Sequence, residues 1–272
     1  MPLLILLLLI LAPACWLLAQ PLRTGWRRKR LRARPFPPEW RETLRRRVPQ
    51  FRLLPADLQL QLKQHMQVFL AEKTFVGCAG LEVSDEMRVT IAAQACLLLL
   101  NRRTGYFPGT REILVYPAAF AVRRTRTDAA GVVHDGPAVH LGESSSRGQV
   151  VLSWQDTVHG AAITDDGHNV VIHEFAHQLD QENGEANGAP PMYGRARVER
   201  WSTVMGAAFA RLHEQLGQQI EPALDPYGAT SPAEFFAVAS EAFFERPQHL
   251  AAGFPDVFGE LCAYYRVNPL SW

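Results

Sequence analysis

The segment His173-Glu174-Phe175-Ala176-His177 constrains this chain most, because its two histidines reach one point in space only if the segment is helical. A spacing of four puts both imidazoles one turn apart on one face, where they can ligate a single metal ion. Glu174 projects near the same edge, placed to take a proton from water that the metal activates. The flanks are apolar: Val170, Val171 and Ile172 precede the motif, and Phe175, Ala176 and Leu179 run through and past it. Such a helix packs deeply. Burying two histidines without a partner is costly, so the alternative of two ordinary histidines on a solvated face fits these flanks poorly.

The rest of the chain supplies a core for that helix. A length of 272 residues, with 47% hydrophobic and 20% charged residues, is that of a globular protein, and a net charge of +1 gives no general pull toward nucleic acid. Direct nucleic-acid binding is not expected. Apolar spacing predicts a helix from Pro55 to about Glu72 and another from Asp85 to Asn101 capped by Ser84. Glu112–Tyr116 reads as a short buried strand closed by Pro117, and Gly148–Trp154 as a second strand. Residues 123–148, rich in Arg, Asp, Gly and Ser, read as a hairpin or loop. The motif helix is expected to begin near Asp165 or Asp166 and to run to about Asn183, with Gly184 as its stop. Trp201–Leu216 reads as a further helix, Tyr227–Pro232 as a turn, and Ser231-Pro232 opens a helix through Glu245, halted by Pro247. The sum is an α+β, mainly helical fold with a small sheet preceding the motif helix.

A hydrolytic metal site needs a third protein ligand. No histidine follows at the spacing of the longer HExxHxxGxxH motif, since Asn183 stands there. Glu234 and Glu241, seven apart on one face of an apolar helix, are the candidates, because a carboxylate in such a helix needs a partner. Ser231-x-x-Glu234 also matches a capping box, so spacing alone leaves the two glutamates undecided. Asp180 shares the motif face, either orienting a ligand histidine from behind or bonding a nearby backbone group or arginine at the helix end. The other seven histidines lie outside any ligand spacing.

The amino terminus is unlike the rest. Residues 3–19 form an uncharged apolar run about as long as the shortest membrane-crossing helix, roughly 17–20 residues. Seven basic residues follow it (Arg23, Arg27, Arg28, Lys29, Arg30, Arg32, Arg34) and none precedes it, the reverse of a cleaved signal peptide. The positive-inside rule then holds the basic flank in the cytoplasm. Residues 1–22 are therefore expected to be an uncleaved anchor or signal-like segment in the inner membrane, residues 23–50 a basic, Pro-rich linker, and residues 51–272 the folded domain, with a soluble cytoplasmic chain as the alternative. Cys15, Cys78, Cys96 and Cys262 are too few and too scattered for a disulfide framework and read as reduced thiols.

The stretch HEFAHQLD, the VVLSWQD strand, LDQENGEANG, and Tyr227 followed by Glu234-Phe-Phe-Ala together closely resemble the Mlc titration factor A family of bacterial zinc peptidases, over about residues 35–272. The tyrosine-to-glutamate arrangement is also similar to that of the anthrax lethal factor catalytic domain. The resemblance implies a zincin-like metallopeptidase domain with one Zn2+ per chain, held by His173, His177 and Glu234. It implies Glu174 as general base and places Tyr227 near the metal, where its hydroxyl can bond a developing oxyanion; Glu241 then stands behind the ligands. It implies a peptide or protein substrate, with aminopeptidase activity among the possibilities. The family name records binding to a transcriptional repressor of sugar uptake genes, so a repressor partner, and sequestration as the main function, is the competing implication. In zincins the strand before the motif helix rims the cleft and pairs with substrate; Gln149–Trp154 is the candidate, with a plain structural strand as the other reading. The apolar amino-terminal run is additional to the shorter family members.

Overall fold

The computed structural model describes residue 16 and residues 19–103, 105–127, 133–140, 142–145 and 148–272, giving the backbone alone between 120 and 147. After a helix over residues 19–32 come α1 (Pro38–Arg47), α2 (Ala56–Glu72), β1 (Thr74–Gly77), α3 (Asp85–Leu97), β2 (Glu112–Tyr116), β3 (Phe120–Thr127), β4 (Val133–His140), β5 (Gly142–Ser145) and β6 (Gln149–Ser153). The helices α4 (Trp154–Ala162), α5 (Val170–Asp180), α6 (Arg195–Gly217), α7 (Pro232–Glu245), α8 (Pro247–Gly253) and α9 (Pro255–Tyr265) complete the chain. The protein is mainly helical with a small sheet, as expected.

That sheet has the order β1-β2-β6-β5. The first three strands are parallel, and β5 runs antiparallel to β6 with Glu143 opposite Val151. β3 and β4 pair separately as an antiparallel hairpin, which meets the expectation for that segment. One expectation needs correction. β6 does not offer an exposed edge, because β2 flanks it on one side and β5 on the other. The edge strand on that side is β5, and it lies against the motif helix α5.

Residues 38–47, read from sequence as linker, form a helix whose Leu44 is fully buried. Pro38 occupies its first turn, where the missing N–H is no loss. Among the described residues no helix is long and apolar enough to cross a membrane. The apolar run of residues 3–19 lies outside the described residues, except for Trp16 and Ala19.

The core gathers around α5 and α7. Phe175 of α5 packs edge-on against Phe69 of α2 and lies 4.7 Å, centroid to centroid, from Phe107. In α7 every residue from Phe235 to Glu245 is buried. An all-round buried helix belongs at the centre of a fold, and α7 accordingly presents Glu234 at its start and Glu241 in its middle toward α5.

Candidate metal centre

The motif helix begins at Val170, later than sequence suggested. Gly167 has φ +83, a left-handed turn that ends any helix started at Asp165, and Asn169 is the cap, its side chain accepting from the Ile172 N–H at 3.0 Å. Asn169 is itself anchored: its N–H donates to Glu241 Oε1 at 2.6 Å and its amide to Gly160 O and Glu245 Oε1. The entry of the motif helix is thus tied directly to α7.

Three donor atoms converge on the exposed side of this joint. His173 Nε2 lies 3.0 Å from Glu234 Oε2, His177 Nε2 lies 3.3 Å from the same oxygen, and the two Nε2 atoms are 3.2 Å apart. Ligands at about 2.0–2.1 Å in a tetrahedron would stand roughly 3.3 Å from one another. The donor set therefore fits a single divalent ion with two nitrogens and one oxygen. Among the described residues no other group of three such side chains converges in this way.

The electrostatics favour positive charge at this point. Burial pulls the His173 pKa down, but Glu241 and Glu234 outweigh it and raise the pKa well above the ordinary histidine value. Burial would raise Glu234, yet its bonds to both imidazoles hold it at about 2. Glu174 is fully enclosed, and burial pushes it up to about 7 against the pull of both histidines. Its Oε2 has no hydrogen-bond partner among the described residues. The Glu174 carboxylate is thus buried, with one oxygen unpartnered, beside the two histidines.

The two candidate glutamates take different places. Glu234 Oε2 meets both Nε2 atoms, whereas Glu241 Oε2 meets His173 Nδ1 at 2.8 Å, on the far side of the ring. Ser231 does cap α7, accepting from the Glu234 N–H at 3.2 Å, but the Glu234 carboxylate is directed to the histidines. Tyr227 sits in a tight turn fixed by Asp225, which accepts its N–H at 2.7 Å, and by Thr230, which donates to its carbonyl. Its ring centroid is 6.0 Å from that of His173, and its side chain is exposed.

Asp180 Oδ2 accepts the Gly188 N–H at 2.7 Å, and the carboxylate at His173 Nδ1 is that of Glu241. Gly188 is pressed against Pro232, and its carbonyl accepts Trp201 Nε1–H at 2.9 Å. Asp180 thereby braces the loop that abuts the start of α7. Sequence reasoning missed Asn169 and Glu245. Asn169 was legible as a polar residue just ahead of an apolar run; Glu245 carried no local signal beyond being charged in an apolar helix.

Comparison with known proteins agrees with this geometry. A model of the family described as glucose-regulated metallo-peptidase M90 matches residues 23–266. An uncharacterized protein of Synechocystis sp. is 38% identical over 99% of this chain and 98% of its own length. Mlc titration factor A of Escherichia fergusonii is 34% identical, covering 86% of this chain and 87% of that protein, and that of Klebsiella pneumoniae is 35% identical, covering 85% and 87%. With a converging His-His-Glu cluster and a match over most of its length, this chain belongs to the glucose-regulated metallo-peptidase M90 family, alongside the Mlc titration factor A proteins.

Proposed function

We propose that this protein is a zinc peptidase that hydrolyses peptide bonds at the His173–His177–Glu234 cluster. The observation that carries the reading is the approach of His173 Nε2, His177 Nε2 and Glu234 Oε2 to within 3.0–3.3 Å of one another beside the buried, spare oxygen of Glu174. These three side chains would hold the ion. When bound, zinc supplies Lewis acidity to the scissile carbonyl and makes water a better acid.

The chain's own groups do the remaining work. Glu174, with its pKa lifted toward neutrality by burial, takes the proton of the attacking water and returns it to the leaving amine. Tyr227, held rigid by its turn, donates its hydroxyl to the oxyanion that develops on the substrate. Glu241 fixes the His173 ring. The outer edge of β5 is where an extended peptide would add a strand. The test is peptide-library profiling of the full chain beside Glu174→Gln: wild-type cleavage that the variant loses supports the reading, and no cleavage by metal-loaded wild type contradicts it.

The name shared by the relatives in Escherichia fergusonii and Klebsiella pneumoniae favours a second reading, in which the chain acts chiefly by sequestering a regulator and peptidase activity is secondary. Glu174→Gln separates the two, since sequestration survives the loss of the base. The cytoplasmic placement of the domain behind a tether at residues 3–19 rests on the sequence pattern alone.

A further inference from the structure

We infer that the helix over residues 19–32 is a docking surface for an anionic lipid bilayer. Its two faces differ sharply. On the inner face Arg28 makes a two-point bond to Glu72 (Nε to Oε1 3.0 Å, Nη2 to Oε2 2.8 Å), reaches Gly105 O, and lies 4.7 Å over the Tyr106 ring. Leu31, three residues on, packs against the core on the same side. These contacts fix how the helix is presented.

Leu22 and Trp26, one turn apart on the opposite face, point away from the protein, 77% and 61% exposed. Arg23, Lys29 and Arg30 flank them and are exposed, and the Arg30 guanidinium stacks 4.1 Å over the Trp26 ring. Between residues 19 and 34 there are seven basic side chains and no acidic one. An apolar pair containing tryptophan, bordered by lysine and arginine, is the surface of a helix lying in a lipid headgroup layer. Charge complementarity selects an anionic surface, to which each nearby basic side chain contributes roughly five-fold in partitioning.

A nucleic acid would also meet the charge, but it gives no use to an outward Leu22 and Trp26 or to the uncharged run of residues 3–19 that leads into the helix. The inference goes beyond the proposed tether, because it assigns the headgroup layer to described residues with fixed orientation, and it does not depend on peptidase activity.

The test is flotation of the full chain with vesicles of phosphatidylcholine alone or with 30% phosphatidylglycerol, beside Arg23→Glu/Lys29→Glu/Arg30→Glu, with thermal melting to show that the variant folds. The expected result is a preference of about 100-fold for the anionic vesicles, lost in the variant and in high salt. Equal binding of wild type to both vesicles overturns the inference and leaves the tether standing, whereas no binding to either overturns both. Tighter binding to a 30-base-pair DNA duplex than to anionic vesicles overturns it in favour of a nucleic-acid surface. Should the triple variant not fold, Trp26→Asp is substituted, and unchanged anionic binding by it counts against the inference.

Discussion

Glu241 holds His173 and the cap of the motif helix with the two oxygens of one carboxylate: Oε2 accepts His173 Nδ1–H at 2.8 Å and Oε1 accepts the Asn169 N–H at 2.6 Å. The bond at Nδ1 orients the ring so that Nε2 faces Glu234 and His177. Such outer partners of ligand histidines typically govern metal affinity by ten- to hundredfold. Glu241→Ala is therefore expected to weaken metal affinity by about that factor, measured by competition with a chelator. An affinity equal to wild type would show that packing alone orients the ring.

Glu174→Gln keeps the shape of the buried side chain but cannot take a proton. Metal content should be unchanged and turnover should fall by roughly 10³-fold, within the range for loss of a general base. On the proposed mechanism, Tyr227→Phe removes the hydroxyl assigned to the oxyanion, at an exposed position. The expected effect is a fall in kcat of about 10- to 100-fold with little change in KM or metal content.

Gly188 is left-handed, with φ +77, and a Cβ there would lie 2.3 Å from the Pro232 carbonyl oxygen at the head of α7. Backbone atoms cannot yield cheaply. Gly188→Ala should destabilise the protein by about 2–3 kcal/mol, read as a lower denaturant midpoint. Because Pro232 stands two residues before Glu234, metal affinity should fall with it.

The pH dependence of stability should carry the mark of Glu245. Burial pushes its pKa up to about 9; the Asn169 amide opposes this, and the neighbouring Glu241 and Asp166 carboxylates add to it. A folded-state pKa above the unfolded value means that the folded protein binds more protons between the two. This stabilising contribution is complete in acid and is lost as pH rises through that interval, by at most about 1.4 kcal/mol per pH unit. Glu245→Gln should flatten the slope between pH 6 and 8, measured by urea unfolding at both pH values. Parallel slopes for wild type and variant would contradict it.

How much of this was legible in the sequence depends on what each element uses to hold itself. α2, α5 and α7 bury apolar residues at helical spacing, so their positions could be read, and the end of α7 at Glu245 was placed correctly. β5 could not be read: its Gly142–Ser145 stretch joins the sheet through backbone pairing and has no alternation of apolar residues. α1, α8 and α9 each begin with a proline, which looks like a break locally yet suits a first helical position. The choice between Glu234 and Glu241 was beyond local spacing, since both share a face. It is set by how α7 is seated against α5, a long-range packing relation that brings the first glutamate to Nε2 and the second to Nδ1 of one ring.

The central claim is that His173, His177 and Glu234 together hold one zinc ion. The most direct measurement is elemental analysis of the purified full chain beside His177→Ala and Glu174→Gln. The account predicts one zinc per chain in wild type and in Glu174→Gln, with occupancy lost in His177→Ala. A wild-type chain that binds no zinc, or a His177→Ala chain that binds it as tightly, would contradict the account.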